Sequence, residues 1–89
     1  MTGDPSEAVI EQAILTLTAA RAPRTICPSE VARSLMANEA AWRALMPTLR
    51  EAAGRLADAG LIEVTQRGVP VDPRTARGPI RLSARPARS

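Results

Sequence analysis

Eighty-nine residues make one small domain, 45% hydrophobic but without Phe or Tyr, so its core must be aliphatic around a single Trp. No His and one Cys exclude a protein-only zinc site, a Ser-His or Cys-His nucleophilic pair and an internal disulfide. The net charge of +3 is uneven: residues 1–20 carry −3, residues 21–36 +2, residues 37–60 zero and residues 61–89 +4, with Arg as every basic residue.

Asp4-Pro5-Ser6-Glu7 reads as a helix start, with Asp4 as cap, Pro5 at the first helical position and Glu7 three after the cap. The helix that follows buries Val9 or Ile10, Ala13, Ile14 and Leu17 and ends near Ala20; Pro23 marks the break. Thr25-Ile26 reads as a small edge strand. A second helix is expected from about Pro28 to Met36, with Val31, Ala32 and Leu35 on one face and Glu30 at the third position. Cys27 stands at its cap. A thiol there can have a lowered pKa, but no His or Lys adjoins it in sequence, and a buried structural Cys is the expectation.

Ala37 to Glu39 is a turn before the stretch that organises the chain, Trp42 to Gly60. Apolar residues fall at Trp42, Leu45, Leu49, Ala52 or Ala53, Leu56 and Ala59, the three-and-four spacing of a helix with one buried face. Arg43, Arg50 and Arg55 point away from it. Pro47 interrupts the run, so a short turn over Ala40–Leu45 is expected, with the main helix restarting at Pro47 and stopping at Gly60. Trp42, on the apolar stripe, reads as a core anchor rather than a ligand-stacking ring.

Ile62-Glu63-Val64-Thr65-Gln66 and Ile80-Arg81-Leu82 alternate as strands. Joined by Arg67 to Pro79, they predict a hairpin with a long loop, Arg81 sharing the outward face with Glu63 and Thr65. Residues 83–89, Arg, Ala, Pro and Ser without periodicity, read as a disordered tail after a domain over 1–82. The fold class is α+β, mostly α: a winged helix-turn-helix of three helices and a small β-hairpin wing.

The runs TICPSEVARSL (25–35), WRALMPTLREAAGRL (42–56) and IEVTQRGVPVDPRTARGPIRL (62–82) resemble a family of small bacterial proteins catalogued as a domain of unknown function. The most specific part is the set Gln66-Arg67-Gly68, Val71-Asp72-Pro73 and Arg77-Gly78-Pro79-Ile80-Arg81 at fixed spacing. The match covers roughly residues 7–82. It implies a winged-helix fold and brings no activity or ligand.

Two stretches are candidate sites. On the wing, Arg67, Arg74, Arg77 and Arg81 suit phosphate contact, and Gln66 a base edge. The alternative is that the loop folds back on the domain, with Asp72 pairing Arg67, Arg74 or Arg77. On the third helix, Arg43, Thr48, Arg50, Glu51 and Arg55 form the exposed face; Thr48, Arg50 and Glu51 would stand at its N-terminal end, where a recognition helix reads bases. Against that, Glu51 and Asp58 make the face electrically mixed. No aromatic platform exists for single strands. No Gly-rich phosphate loop occurs and no two carboxylates are placed as an acid/base pair, so neither a cofactor nor an enzyme activity is expected. The N-terminus lacks a signal peptide's basic start and apolar run, and no run approaches the ~20 apolar residues of a membrane span, so a cytoplasmic location is expected. The leading expectation is DNA binding, extending to transcriptional regulation, through the wing and third helix; the alternative is a protein–protein adaptor module that binds no nucleic acid.

Overall fold

A computed structural model describes residues 4–85. Helix α1 (Glu7–Arg21) is capped by Ser6, whose Oγ accepts the Val9 N–H at 3.2 Å. The expected cap at Asp4 and helical Pro5 therefore give way to a start two residues later, because Ser6 supplies the same kind of oxygen nearer the first buried turn. That register buries Ile10, Ile14 and Thr18 and leaves Val9 exposed, with Ala13 and Leu17 only half-buried. The Thr18 hydroxyl is satisfied by the Ile14 carbonyl at 2.8 Å.

Ile26 pairs with Leu82 by two backbone hydrogen bonds of 2.8 Å, so the expected edge strand is reduced to one bridge. Helix α2 (Pro28–Leu35) then begins as expected: Pro28 stands at the first position and the Glu30 carboxylate accepts the Cys27 N–H at 3.0 Å. Val31 and Ala32 enter the core.

Helix α3 (Glu39–Asp58) is continuous, with Pro47 inside it, which overturns the expected turn over Ala40–Leu45 and restart at Pro47. An interior proline costs about 3 kcal/mol. Leu45 and Leu49, on either side of it, lie on the same buried stripe, and burying each is worth about 1.5–3 kcal/mol. Pro47 and Arg43 are both exposed, so the lost hydrogen bond falls on the solvent side of the helix. The helix start moves to Asn38, whose Oδ1 accepts the Ala41 N–H at 3.1 Å. Its end is where Gly60 placed it. With φ +77° at Gly60, the N–H groups of Leu61 and Gly60 return to the carbonyls of Leu56 and Ala57 at 2.9 Å each, the Schellman arrangement.

Three strands, β1 (Ile62–Gln66), β2 (Val69–Pro70) and β3 (Arg81–Ala84), form an antiparallel sheet in the order β2-β1-β3. The expected two-stranded hairpin with one long loop becomes a tight turn plus a return. Arg67 and Gly68, both at positive φ (53° and 81°), close β1 onto β2, and residues 71–80 lead back to β3. Thr65 lies opposite Arg81 and Glu63 opposite Ser83, on the outward face as expected. Strand β3 also runs past the expected boundary at 82, since Ser83 and Ala84 pair with Glu63 and Ile62; they are not tail. Arg85 follows without regular structure and is exposed, and the remainder of the expected disordered tail, residues 86–89, lies outside the described residues.

The core gathers Ile10 and Ile14, Val31 and Ala32, the α3 stripe Leu45–Leu49–Ala52–Ala53–Leu56, and Ile62, Val64 and Leu82 of the sheet. Three helices and an antiparallel sheet in this order make a mostly helical α+β fold of winged-helix-like form. No described helix is long and apolar enough to cross a membrane.

Candidate nucleic-acid interface

The return segment after β2 has few apolar anchors apart from Val71, Pro73, Ala76 and Ile80, yet it is held tightly. Asp72 starts it. Its Oδ1 accepts both the backbone N–H and Nε of Arg74, each at 2.9 Å, and its carbonyl accepts the Ala76 N–H at 2.9 Å. The Arg74 guanidinium keeps the Asp72 carboxyl below its ordinary range and reaches on to Asp58 at 3.0 Å. This is the structural alternative foreseen for Asp72, with Arg74 as the partner. The guanidinium crosses α3 at Gly54, with Nε 2.5 Å from where a β-carbon would begin, so only glycine leaves room for this pose.

Arg50 does more. From the middle of α3, Nη1 donates to the carbonyls of Pro73 (3.3 Å) and Ala76 (2.9 Å), and Nη2 to that of Gly78 (2.7 Å). Gln66 adds donations from Nε2 to the carbonyls of Arg77 (2.6 Å) and Pro79 (3.0 Å). Five carbonyls of the segment thus turn inward onto two side chains. The planar, five-donor guanidinium suits a fork of carbonyls that an ammonium would not span.

The inward carbonyls leave the opposite edge outward. Among the described residues, the backbone N–H groups of Arg77 and Gly78 donate to no acceptor. The Arg67 and Arg77 side chains are exposed and have no hydrogen bond or ion pair among the described residues. Both line an open groove of about 690 Å³ between the hairpin tip and the return, together with Val69, Pro79 and Arg81; among the described residues no carboxylate lines it. Arg81 is exposed but occupied, donating to Thr25 Oγ1 at 2.8 Å, to the Thr25 carbonyl at 3.2 Å and to Cys27 Sγ. Cys27, expected as a buried structural thiol, is half-buried and accepts a hydrogen bond from the Arg81 guanidinium.

The α3 candidates are dispersed. Arg43 is paired with Glu39 at 2.8 Å and lies 4.9 Å from the centre of the Trp42 ring, which Arg33 approaches at 5.4 Å. Trp42 is only half-buried against the edge of the core, so it is not the anchor around which the aliphatic core was expected to form. Thr48 is exposed and, like Arg50, now falls mid-helix, since α3 begins at Glu39. Arg55 bonds Glu11 at 2.9 Å. Arg67, Arg77 and Arg81 are therefore brought together, whereas Arg50, Gln66 and Arg74 hold the segment from beneath and Arg43 and Thr48 lie on α3. The sequence pattern placed Arg50 on the exposed face as a base-reading residue, whereas it is bonded to the loop. Its partners lie 23 to 28 residues away, beyond any local signal.

A family model described as a protein of unknown function (DUF3253) matches residues 7–85. The chain belongs to this family. The match extends through Ala84, the last residue of β3, and covers all six elements of the domain. No curated protein matches the chain.

Proposed function

We propose that this DUF3253 domain binds duplex DNA, with Arg67 and Arg77 of the wing contacting backbone phosphates and Arg81 adding charge behind them. The observation that carries the reading is the groove itself: two uncommitted guanidinium groups and a third beside them, flanked by two N–H groups without an acceptor and, among the described residues, with no lining carboxylate. Phosphate is the polyanion such a set of donors fits. The backbone at Arg67 supports it. A turn with two positive φ angles favours Asn-Gly, and a bulky residue in the first of those positions costs roughly 1 kcal/mol or more. Strain held at an exposed arginine fits a residue kept for its charge rather than for the turn. The reading involves no cofactor and no catalysis.

Fluorescence anisotropy with a labelled duplex at rising salt tests it. Two to three phosphate contacts give a slope of log K against log salt of about −2 to −3, a loss of roughly 10- to 40-fold between about 50 and 200 mM. Arg67→Ala and Arg77→Ala each remove about one unit of that slope. Absence of binding at low salt overturns the proposal and directs attention to a protein partner.

A further inference from the structure

Resting on the wing reading, the geometry points to a second property: we infer that the domain engages duplex DNA without discriminating bases, through the wing alone and not through α3. Base reading in a major groove requires side chains that present donors or acceptors to base edges, chiefly Arg, Asn, Gln or Lys near the start of the inserted helix. The outward face of α3 offers Glu39, Ala40, Arg43, Ala44, Thr48 and Glu51, all exposed. Two of these are alanine. Arg43 is neutralised by Glu39 one turn earlier and lies against Trp42. Glu51 has no ion-pair partner among the described residues and sets a negative charge toward any approaching phosphate.

The two residue types best suited to reading bases are spent elsewhere. Arg50 has donated to three loop carbonyls and Gln66 to two. Freeing either would strip inward-facing carbonyls of their donors. On the wing, Arg67 and Arg77 remain free, and guanidinium-to-phosphate contacts position a duplex without carrying sequence information. Single-stranded nucleic acid is disfavoured by the aromatic inventory. Trp42 is the only aromatic residue, and it is half-buried with Arg33 and Arg43 close to its ring.

The experiment uses the whole chain in two arms. In the first, a randomised duplex library is selected at about 50 mM salt, where phosphate contacts hold. In the second, anisotropy compares two duplexes of equal base composition and unrelated sequence, and a single strand of the same length. The expected result is no enriched motif, duplex affinities within about threefold and weaker single-strand binding, since each correct base contact would add roughly 1–3 kcal/mol of discrimination. Arg43→Ala and Thr48→Ala are expected to change affinity by less than about twofold, while the Arg67→Ala/Arg77→Ala double variant loses about tenfold or more. All four positions are exposed, and far-UV circular dichroism confirms that the variants fold. An enriched motif that loses its advantage in Arg43→Ala or Thr48→Ala overturns this inference and leaves DNA binding standing. Tighter binding to the single strand also overturns it. Failure to bind any duplex at low salt removes the wing reading and this inference together.

Discussion

Replacing Arg50 with alanine separates an arginine that supports the wing from one that decorates it. The guanidinium makes three hydrogen bonds to carbonyls, at 2.7, 2.9 and 3.3 Å. A hydrogen bond to a charged donor contributes about 1.5–3 kcal/mol net when well formed and shielded. Here the shortest ends at exposed Gly78 and the one to Pro73 is long, so only the Ala76 bond and part of the others count in full. The loss comes to about 2–3 kcal/mol. For a domain of this size that lowers Tm by roughly 8–20 °C. Thermal unfolding followed at the helix signal reads the shift directly. Arg50→Lys keeps the charge but presents donors from a single nitrogen, so it is expected to recover about half. A melting point for Arg50→Ala within about 3 °C of the parent would refute the clamp, because that is the change expected of an unattached surface side chain.

Pro47→Ala is expected to stabilise the domain by about 1–3 kcal/mol, seen as a higher denaturant midpoint at unchanged slope; a neutral result would mean that α3 is broken there. Arg67→Asn, at φ 53°, is expected to gain about 0.5–1 kcal/mol in the turn while weakening DNA binding, and loss of both together would contradict the strain argument. Glu30 accepts the Cys27 N–H and faces Arg21, which lowers its pKa below the ordinary 4.5. A depressed folded-state pKa adds stability above the unfolded value and loses it as pH falls through the folded one. Glu30→Gln is therefore less stable than the parent at neutral pH, and the gap closes below about pH 4.5; a gap independent of pH would rule out this account.

What the chain declares locally was legible. Pro28 and Glu30 set the start of α2, Gly60 set the end of α3, and the alternation of Ile62 to Gln66 set β1, because each signal acts within a turn or a strand. The errors arise where two local signals compete or where a distant partner decides. Asp4 and Ser6 are both good caps, and the choice follows the buried face that begins at Ile10. Pro47 disfavours a helix, but the stripe through Leu45 and Leu49 outweighs it. Ser83 and Ala84 have no strand pattern of their own; they pair because β1 extends far enough to present Ile62 and Glu63 opposite them. The candidate site divided in the same way. Residue type identified every arginine of the wing, but only the fold shows that Arg50, Arg74 and Arg81 are occupied and that Arg67 and Arg77 are not.

That division determines where the positive charge can act. In the helices, Arg21 faces Glu30, Arg43 faces Glu39 and Arg55 faces Glu11, each at 3.1 Å or less, so their fields largely cancel within the domain. Arg74 is cancelled by two aspartates. Surface pairs of this kind add little stability, about 0–1 kcal/mol each. Their larger effect is on the potential outside the protein, because an incoming anion meets a cation and its partner together. Arg67 and Arg77 have no such partner among the described residues and lie on a projecting element with Arg81 beside them. The wing groove thus presents uncancelled positive charge to a polyanion, as do Arg24, Arg33 and Arg85, which have no carboxylate partner among the described residues. A turn with Asn at residue 67 would be less strained, but it would remove one of the two uncommitted guanidinium groups from the groove.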